Sequence, residues 1–327
     1  MIKPNFSFLI CTKNCETTIE KVLESIQLQS HYSLIHEVLI VFYNTTDNTL
    51  KIASEFSKRH KLPLKLIECK EAGKTPALLL GLEKISGNYC IIVDDDNFLY
   101  PDYISNSVDL IKDENIACFG ARGHIDQRLE QPDWFPEYRG HFAIGLPKDK
   151  TDWVWGACAL INMKAWKKLS DLNYKIWINI ERKDNVKPIE IGGEDSEFSL
   201  AFGLVGFKVR FSEKLNFVHS FSQKRLQKDY FLSNTLGCFK AAPIIELYRI
   251  VINNKFSHYP IIGLYYILLR NIVSNTLRAF IAFFSKNNLK AQYHLTIVLG
   301  VIAGFKLFRK DFSKIYSELY RIKTNNA

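Results

Sequence analysis

The chain has 327 residues, 47% of them hydrophobic and 24% charged, which suffices for one large domain, or a domain with an appendage, and excludes a disordered polypeptide. Its net charge of +9 is unevenly placed: residues 1–203 carry 24 basic against 29 acidic side chains, whereas 204–327 carry 19 against 5. The basic character therefore belongs to the C-terminal third.

The opening stretch, MIKPNFSFLICTKN, lacks the apolar run and small-residue cleavage site of a secretory signal, so a mature, cytosolic N-terminus is expected. FSFLICTKN reads as a strand, followed by a helix in CETTIEKVLESIQLQ with Ile19, Val22, Leu23 and Ile26 at helical spacing. HEVLIVFYN is a second strand, and TTDNTLKIASEFSKRH a helix that opens on capping residues. LPLKLIECK is a third strand, TPALLLGLEKIS a helix with Pro76 just inside its start, and GNYCIIV a fourth strand. This alternation predicts an α/β fold with parallel pairing and right-handed crossovers. Ligands in such sheets bind beyond the carboxyl ends of the strands, which is where Asp94, Asp95 and Asp96 fall.

Residues 101–150 carry no readable pattern. WVWGACALINMKAWKKL and GGEDSEFSLAFGLVGFKVRFSEKLNFVHS restore order, and no repeat or linker precedes residue 225. Beyond it, YPIIGLYYILLRNIVSNTLRAFIAFF and LTIVLGVIAGFKLF are apolar but interrupted by Arg270, Asn271 and Arg278, so no uninterrupted run of spanning length is expected. These helices read either as interfacial elements on an anionic leaflet or as the core of a helical appendage or a homodimer contact.

Seven cysteines, at 11, 15, 69, 90, 118, 158 and 238, are odd in number and form no C-x-x-C pair. Reduced thiols are expected rather than disulfides or a metal site. Carboxylates behind a buried strand are costly unless a cation or hydrogen bonds compensate. Mg²⁺ is commonly bound by one or two carboxylates together with substrate phosphates, and Asp94 and Asp96 have a suitable spacing. The stretch lacks the glycine and closing glutamate of an EF-hand, and EAGKTPALL is not a phosphate loop because Glu68 stands where a glycine is needed. In IGGEDSEFSL, Glu194 and Asp195 fall at a helix N-terminus, a placement that the helix dipole alone favours. His219 ends a strand-like run, where it is a structural histidine or a metal ligand. Trp153 and Trp155 share one face, as core or as a stacking wall.

Together, ICTKNCETTIEKVLESIQLQS, NTTDNTLKIA, GKTPALLLGLEKISGNYCIIVDDDN, WGACALINMKAW, GGEDSEFSLAFGLVGFKV and NFVHSFSQKRLQKDYF resemble, in this order, the inverting family 2 glycosyltransferases of bacterial polysaccharide assembly. The resemblance covers residues 5–235 and implies the type A fold, a mostly parallel Rossmann-like sheet flanked by helices. A catalytic domain over 1–235 is thus expected, with a basic, apolar helical appendage over 236–327. The resemblance further implies a nucleotide-diphosphate sugar donor and a glycan or lipid-linked acceptor. It gives Asp94, Asp96 and His219 the role of ligands for Mg²⁺ or Mn²⁺, and Asp195 that of the general base, with Glu194 positioning a sugar. Thr12, Asn14, Glu16, Lys74 and Asp95 would bind the nucleotide, Trp155 and Gly156 would line the sugar pocket, and Lys224 and Arg225 would close over the diphosphate. One departure concerns the base: where many relatives carry an aspartate after the second strand, this chain has Phe42 and Tyr43, and an aromatic there can stack on the base.

A nucleotidyltransferase would show a glycine-rich basic loop after the first strand, and CTKNCET is not one. A degenerate transferase fold serving as a scaffold or glycan-binding module would not need the D-x-D, Glu-Asp and His set. The basic tail is apolar rather than a stripe of exposed aromatics and cations, so no nucleic-acid partner is expected. Membrane proximity accounts for both properties of the tail, giving a cytoplasmic protein peripheral to the inner face of the membrane.

Overall fold

The computed structural model describes residues 4–147, 149–178 and 191–326. The chain forms two compact units, one of residues 1–168 with 207–222 and the other of 169–206 with 223–327.

The first unit contains β1 (Phe6–Thr12), α1 (Ile19–Gln27), β2 (Ile35–Phe42), α2 (Thr49–His60), β3 (Leu64–Glu68), α3 (Lys74–Lys84), β4 (Tyr89–Ile92), β5 (Asn97–Leu99), α4 (Tyr103–Leu110), β6 (Ile116–Ile125), the single turn α5 (Phe135–Tyr138), β7 (Leu160–Asn162) and the start of α6 (Met163–Asp171). After α7 (Glu194–Leu204), which belongs to the second unit, β8 (Lys208–His219) returns to complete one eight-stranded sheet in the order β3-β2-β1-β4-β7-β6-β8-β5. β3, β2, β1 and β4 are mutually parallel, as the strand-helix alternation predicts. β7 runs antiparallel between β4 and β6, and β5 antiparallel on β8. These two strands have three residues each, too few to leave a periodicity in the sequence.

All seven residues of β1 are buried, because the strand is covered on both faces. Phe6, Phe8 and Ile10 join the cluster formed with Ile19, Val22 and Leu23 of α1 and Phe56 of α2. Leu9 points the other way, onto α3, so closely that a Cβ on Gly81 would lie 2.3 Å from its Cδ1.

The second unit is helical: α7, α8 (Lys228–Lys240), α9 (Ala242–Ile252), α10 (Pro260–Phe284), α11 (Asn288–Phe308) and α12 (Phe312–Asn325). α7 packs on α9, with Gly203 facing Ile252. This division differs from the single boundary expected at 235: α7 lies with the C-terminal helices because its buried residues, from Glu197 to Leu204, find their partners there. α10 and α11 are long and apolar enough to cross a bilayer by length and composition alone. In α10, Arg270, Asn271 and Arg278 interrupt the apolar run without interrupting the helix.

Candidate active site

Strand register gathers the aspartates and their neighbours. β1 pairs with β4 so that Leu9 faces Ile92, and continuing three residues along both strands brings Thr12 beside Asp95. The Thr12 hydroxyl donates to Asp95 Oδ2 at 2.5 Å. Burial pushes the Asp95 carboxyl up to about 6, helped by the charges of Asp94 and Asp96 and opposed by the Thr12 hydrogen bond.

Asp94 turns to the N-terminus of α3, where Lys74 Nζ meets its Oδ1 at 2.5 Å. Gly73, immediately before, has φ +125°, a conformation that L side chains rarely adopt, and it aims the first residue of α3 at the aspartate loop.

Asp96 faces the other way. β5 pairs with β8 so that Asn97 opposes His219, and Asp96 Oδ1 lies 3.4 Å from His219 Nε2. The other imidazole nitrogen, Nδ1, is 2.8 Å from the carbonyl of Phe142, a contact that requires Nδ1 to carry the hydrogen. In the neutral ring the Nε2 lone pair then points at a carboxylate oxygen. Two lone pairs facing each other across this distance suit a divalent cation, and a ring fixed through its second nitrogen is the usual state of a metal-ligating histidine. The donor set therefore fits a metal at Asp96 and His219. Asp94, the third expected ligand, is held by Lys74, and among the described residues no group of three His, Cys, Asp or Glu side chains forms a ready-made cage.

Asn14 and Glu16 serve the architecture. Asn14 Oδ1 accepts from the backbone of Thr46 at 2.8 Å, Glu16 Oε2 accepts from the backbone of Asn48 at 3.0 Å, and Asp47 Oδ2 accepts from the Glu16 amide at 3.0 Å. These bonds tie the loop after β1 to the loop after β2. They hold Tyr43, half-buried, close enough to Asp95 for that carboxylate, after burial, to raise its hydroxyl pKa.

Trp155 does not have the expected position. Its indole is 5% exposed, packs edge-on against Phe211 with ring centres 4.4 Å apart, and donates Nε1–H to the Ala121 carbonyl at 2.9 Å. With both faces and the N–H committed to the core, the ring is a support for the turn through Gly156 rather than a sugar-stacking wall. Two residues on, Cys158 adopts φ +52° while its carbonyl accepts the Tyr103 hydroxyl.

A neighbouring set was missed in the sequence. Asp126 follows β6, its amide donating to the His219 carbonyl at 3.3 Å. Arg128 grips its carboxylate through Nε and Nη2 at 2.9 and 2.5 Å, and the Ser220 hydroxyl donates to it at 2.7 Å. The Arg128 hydrogen bonds hold Asp126 well below the usual carboxylate range. The D-x-R spacing in IDQR was the available signal.

In the second unit, Glu194 and Asp195 open α7 behind Gly193, which has φ +96°. Asp195 Oδ1 accepts from the Ser196 amide at 2.7 Å, so the carboxylate is oriented at the positive end of the helix. Two residues further, Glu197 is fully buried. It accepts from the amides of Trp177 and Ile178 at 2.7 and 2.8 Å and from the Tyr248 hydroxyl at 2.8 Å. Burial pushes it up to about 7 despite those three donors. Lys224 and Arg225 lie in a 3₁₀ turn, Gln223–Leu226, the lysine exposed and the arginine half-buried.

The sequence model of Glycosyl transferase family 2 matches residues 7–170, and the chain belongs to that family. Glycosyltransferase GlyA of Streptococcus pneumoniae is 31% identical over 104 residues, covering 32% of this chain and 14% of that protein. The uncharacterized glycosyltransferase YibD of Escherichia coli is 21% identical over 240 residues, covering 68% of this chain and 64% of that protein. The chain thus spans less than two thirds of the length of these curated relatives. The structure of the mannosyltransferase PcManGT from Pyrobaculum calidifontis, in complex with GDP-Man and Mn²⁺, superposes with a TM-score of 0.58 at 16% identity, covering 95% of this chain and 89% of that one. The fold is the type A fold of that class.

Proposed function

We propose that this protein moves a sugar from a nucleotide-diphosphate sugar to a hydroxyl of a glycan or lipid-linked acceptor, with inversion, in cell-surface polysaccharide assembly at the inner face of the membrane. The observation that carries the reading is the pairing of Asp96 Oδ1 with His219 Nε2 at 3.4 Å, with Nδ1 fixed on the Phe142 carbonyl. Family membership and the likeness to a fold that holds GDP-Man and Mn²⁺ in PcManGT support it.

Asp96 and His219, with Asp94, would hold Mg²⁺ or Mn²⁺, which when bound supplies positive charge to the leaving diphosphate. Lys74, beside Asp94, adds a cation at the same strand ends, and Lys224 and Arg225 provide further anion contacts, the guanidinium in a geometry suited to phosphate oxygens. Thr12 and Asp95 border the nucleoside, and Tyr43 supplies an aromatic face for its base. Asp195, oriented by the Ser196 amide, takes the proton of the acceptor hydroxyl. That oxygen attacks the anomeric carbon, the bond from carbon to the diphosphate oxygen breaks, and the nucleoside diphosphate leaves with the electron pair. Glu194, beside the base, positions a sugar.

Calorimetric titration with nucleoside diphosphates and nucleotide sugars, with Mn²⁺ and then with chelator, tests the reading. Metal-dependent binding of one nucleotide is expected in the wild type and in Asp195→Asn, and its loss in Asp96→Ala. Asp195→Asn is expected to lower transfer by about 10²–10⁴-fold, the range of a general base. Absence of nucleotide binding overturns it, and an Asp195→Asn variant that turns over normally overturns the assignment of Asp195 as the base.

A further inference from the structure

The helix α10 has two apolar sides. One is buried through Leu264, Leu268, Ala279 and Ala282 and packs in the bundle, where Asn275 Oδ1 meets His294 Nδ1 of α11 at 2.9 Å. The other carries Ile262, Leu269, Val273, Leu277, Phe280 and Phe284, each between 50% and 67% exposed. At about 100° per residue the two stripes lie roughly 150° apart around the helix. Only 22% of the most apolar stretch of α10 is buried. A continuous apolar stripe running the length of a 25-residue helix is far more than the scattered single hydrophobics of an ordinary surface.

Charge decides what fits this stripe. Arg270, exposed, borders it on one side, and Arg278, also exposed, lies further round toward the opposite side of the helix; neither makes an ion pair with a described residue. Between residues 247 and 310 the chain has nine Lys and Arg and no Asp or Glu. A second copy docking through the same face in a two-fold arrangement would bring these arginines together with no carboxylate to separate them. A helix spanning a bilayer would hold Arg270 close to the mid-plane, at a cost of about 2.5–3.5 kcal/mol. Lying in the plane of the membrane, the helix buries its stripe among acyl chains, while the arginines reach up to the headgroups.

We propose that the exposed face of α10 is a docking surface for a lipid bilayer containing anionic headgroups, with the helix in the interface plane. This deepens the membrane location given above, but it depends on no catalytic step.

The test is co-sedimentation of the full chain with vesicles of phosphatidylcholine alone and of phosphatidylcholine with phosphatidylglycerol at 7:3. Wild type is expected to bind the anionic vesicles and to leave them as salt is raised. The double variant Leu269→Glu, Leu277→Glu is expected to lose about a hundredfold in partitioning. Each of Arg270→Gln and Arg278→Gln is expected to lose roughly fivefold, about 1 kcal/mol apiece. All four positions are exposed, and unchanged unfolding midpoints and nucleotide binding in the variants show that the fold is intact. Equal binding to neutral vesicles, or unchanged partitioning of the leucine variant, overturns the proposal. So does a wild-type dimer that the leucine variant converts to monomer without any vesicle binding, which assigns the face to a second copy. Absence of nucleotide binding by the wild type would remove the transferase reading and leave the vesicle result standing.

Discussion

Glu197 offers a direct test of how the second unit is held together. Its carboxyl is raised from 4.5 in a free side chain to about 7 by burial, against the pull of the Trp177, Ile178 and Tyr248 donors. The folded state therefore binds this proton more tightly than the unfolded chain. Its stabilising contribution is complete below about 4.5 and is lost as pH climbs to about 7, a difference on the order of 3 kcal/mol. The protonated form is sterically possible: the Tyr248 hydroxyl lies 2.8 Å from Glu197 Oε1 and 3.3 Å from the Tyr174 hydroxyl, so it can turn to accept from the acid. His141, depressed to about 4 by burial, titrates with the opposite sign, so the wild-type curve alone does not isolate Glu197. The quantity to measure is the stability difference between wild type and Glu197→Gln, by urea unfolding followed through tryptophan fluorescence from pH 4.5 to pH 8. That difference is expected to shrink by about 3 kcal/mol across the range. A difference constant to within roughly 0.5 kcal/mol, the ordinary limit of additivity, refutes the assignment of the titration to Glu197.

Other outcomes follow from the same geometry. Gly193→Ala forces a Cβ onto a residue with φ +96° and to 3.1 Å from Ala241 Cβ, and is expected to cost about 1–3 kcal/mol, read as a lowered urea midpoint. Lys74→Met breaks a half-exposed ion pair and is expected to change stability by less than about 1 kcal/mol, while raising the donor KM. Tyr43→Ala is expected to weaken nucleotide binding by about 1–3 kcal/mol in calorimetry, with Tyr43→Phe close to wild type, because stacking needs the ring and not the hydroxyl.

Much of the parallel half of the sheet was legible because β1 and β4 lead apolar runs into polar turns and α1 repeats at helical spacing. The two antiparallel strands were not, since β5 and β7 have three residues each and take their identity from strands far away in sequence. The aspartate cluster could be located from its strand, but its internal division, with Asp94 on Lys74, Asp95 on Thr12 and Asp96 on His219, depends on register across three strands. Trp155 illustrates the same limit: an exposed stacking ring and a buried one have identical sequence, and only Phe211 and the Ala121 carbonyl distinguish them. Asn14 and Glu16 have a polar pattern suited to a ligand, and the loop at 46–48 uses it first.

α7 is made before its packing partner α9, which begins 38 residues after α7 ends. On the ribosome, at roughly 5–20 residues per second, the whole of α9 is made only some 2–10 s after α7 is complete. During that interval Phe198, Leu200, Phe202 and the carboxyl of Glu197 lack the cover that α9 provides. A nascent chain paused in this window presents a sticky, partly charged helix, and a gene truncated near codon 235 would make that transient state permanent. Synthesis of this protein is thus most exposed to chaperones and proteases after most of the sheet has been made and before the last helices arrive.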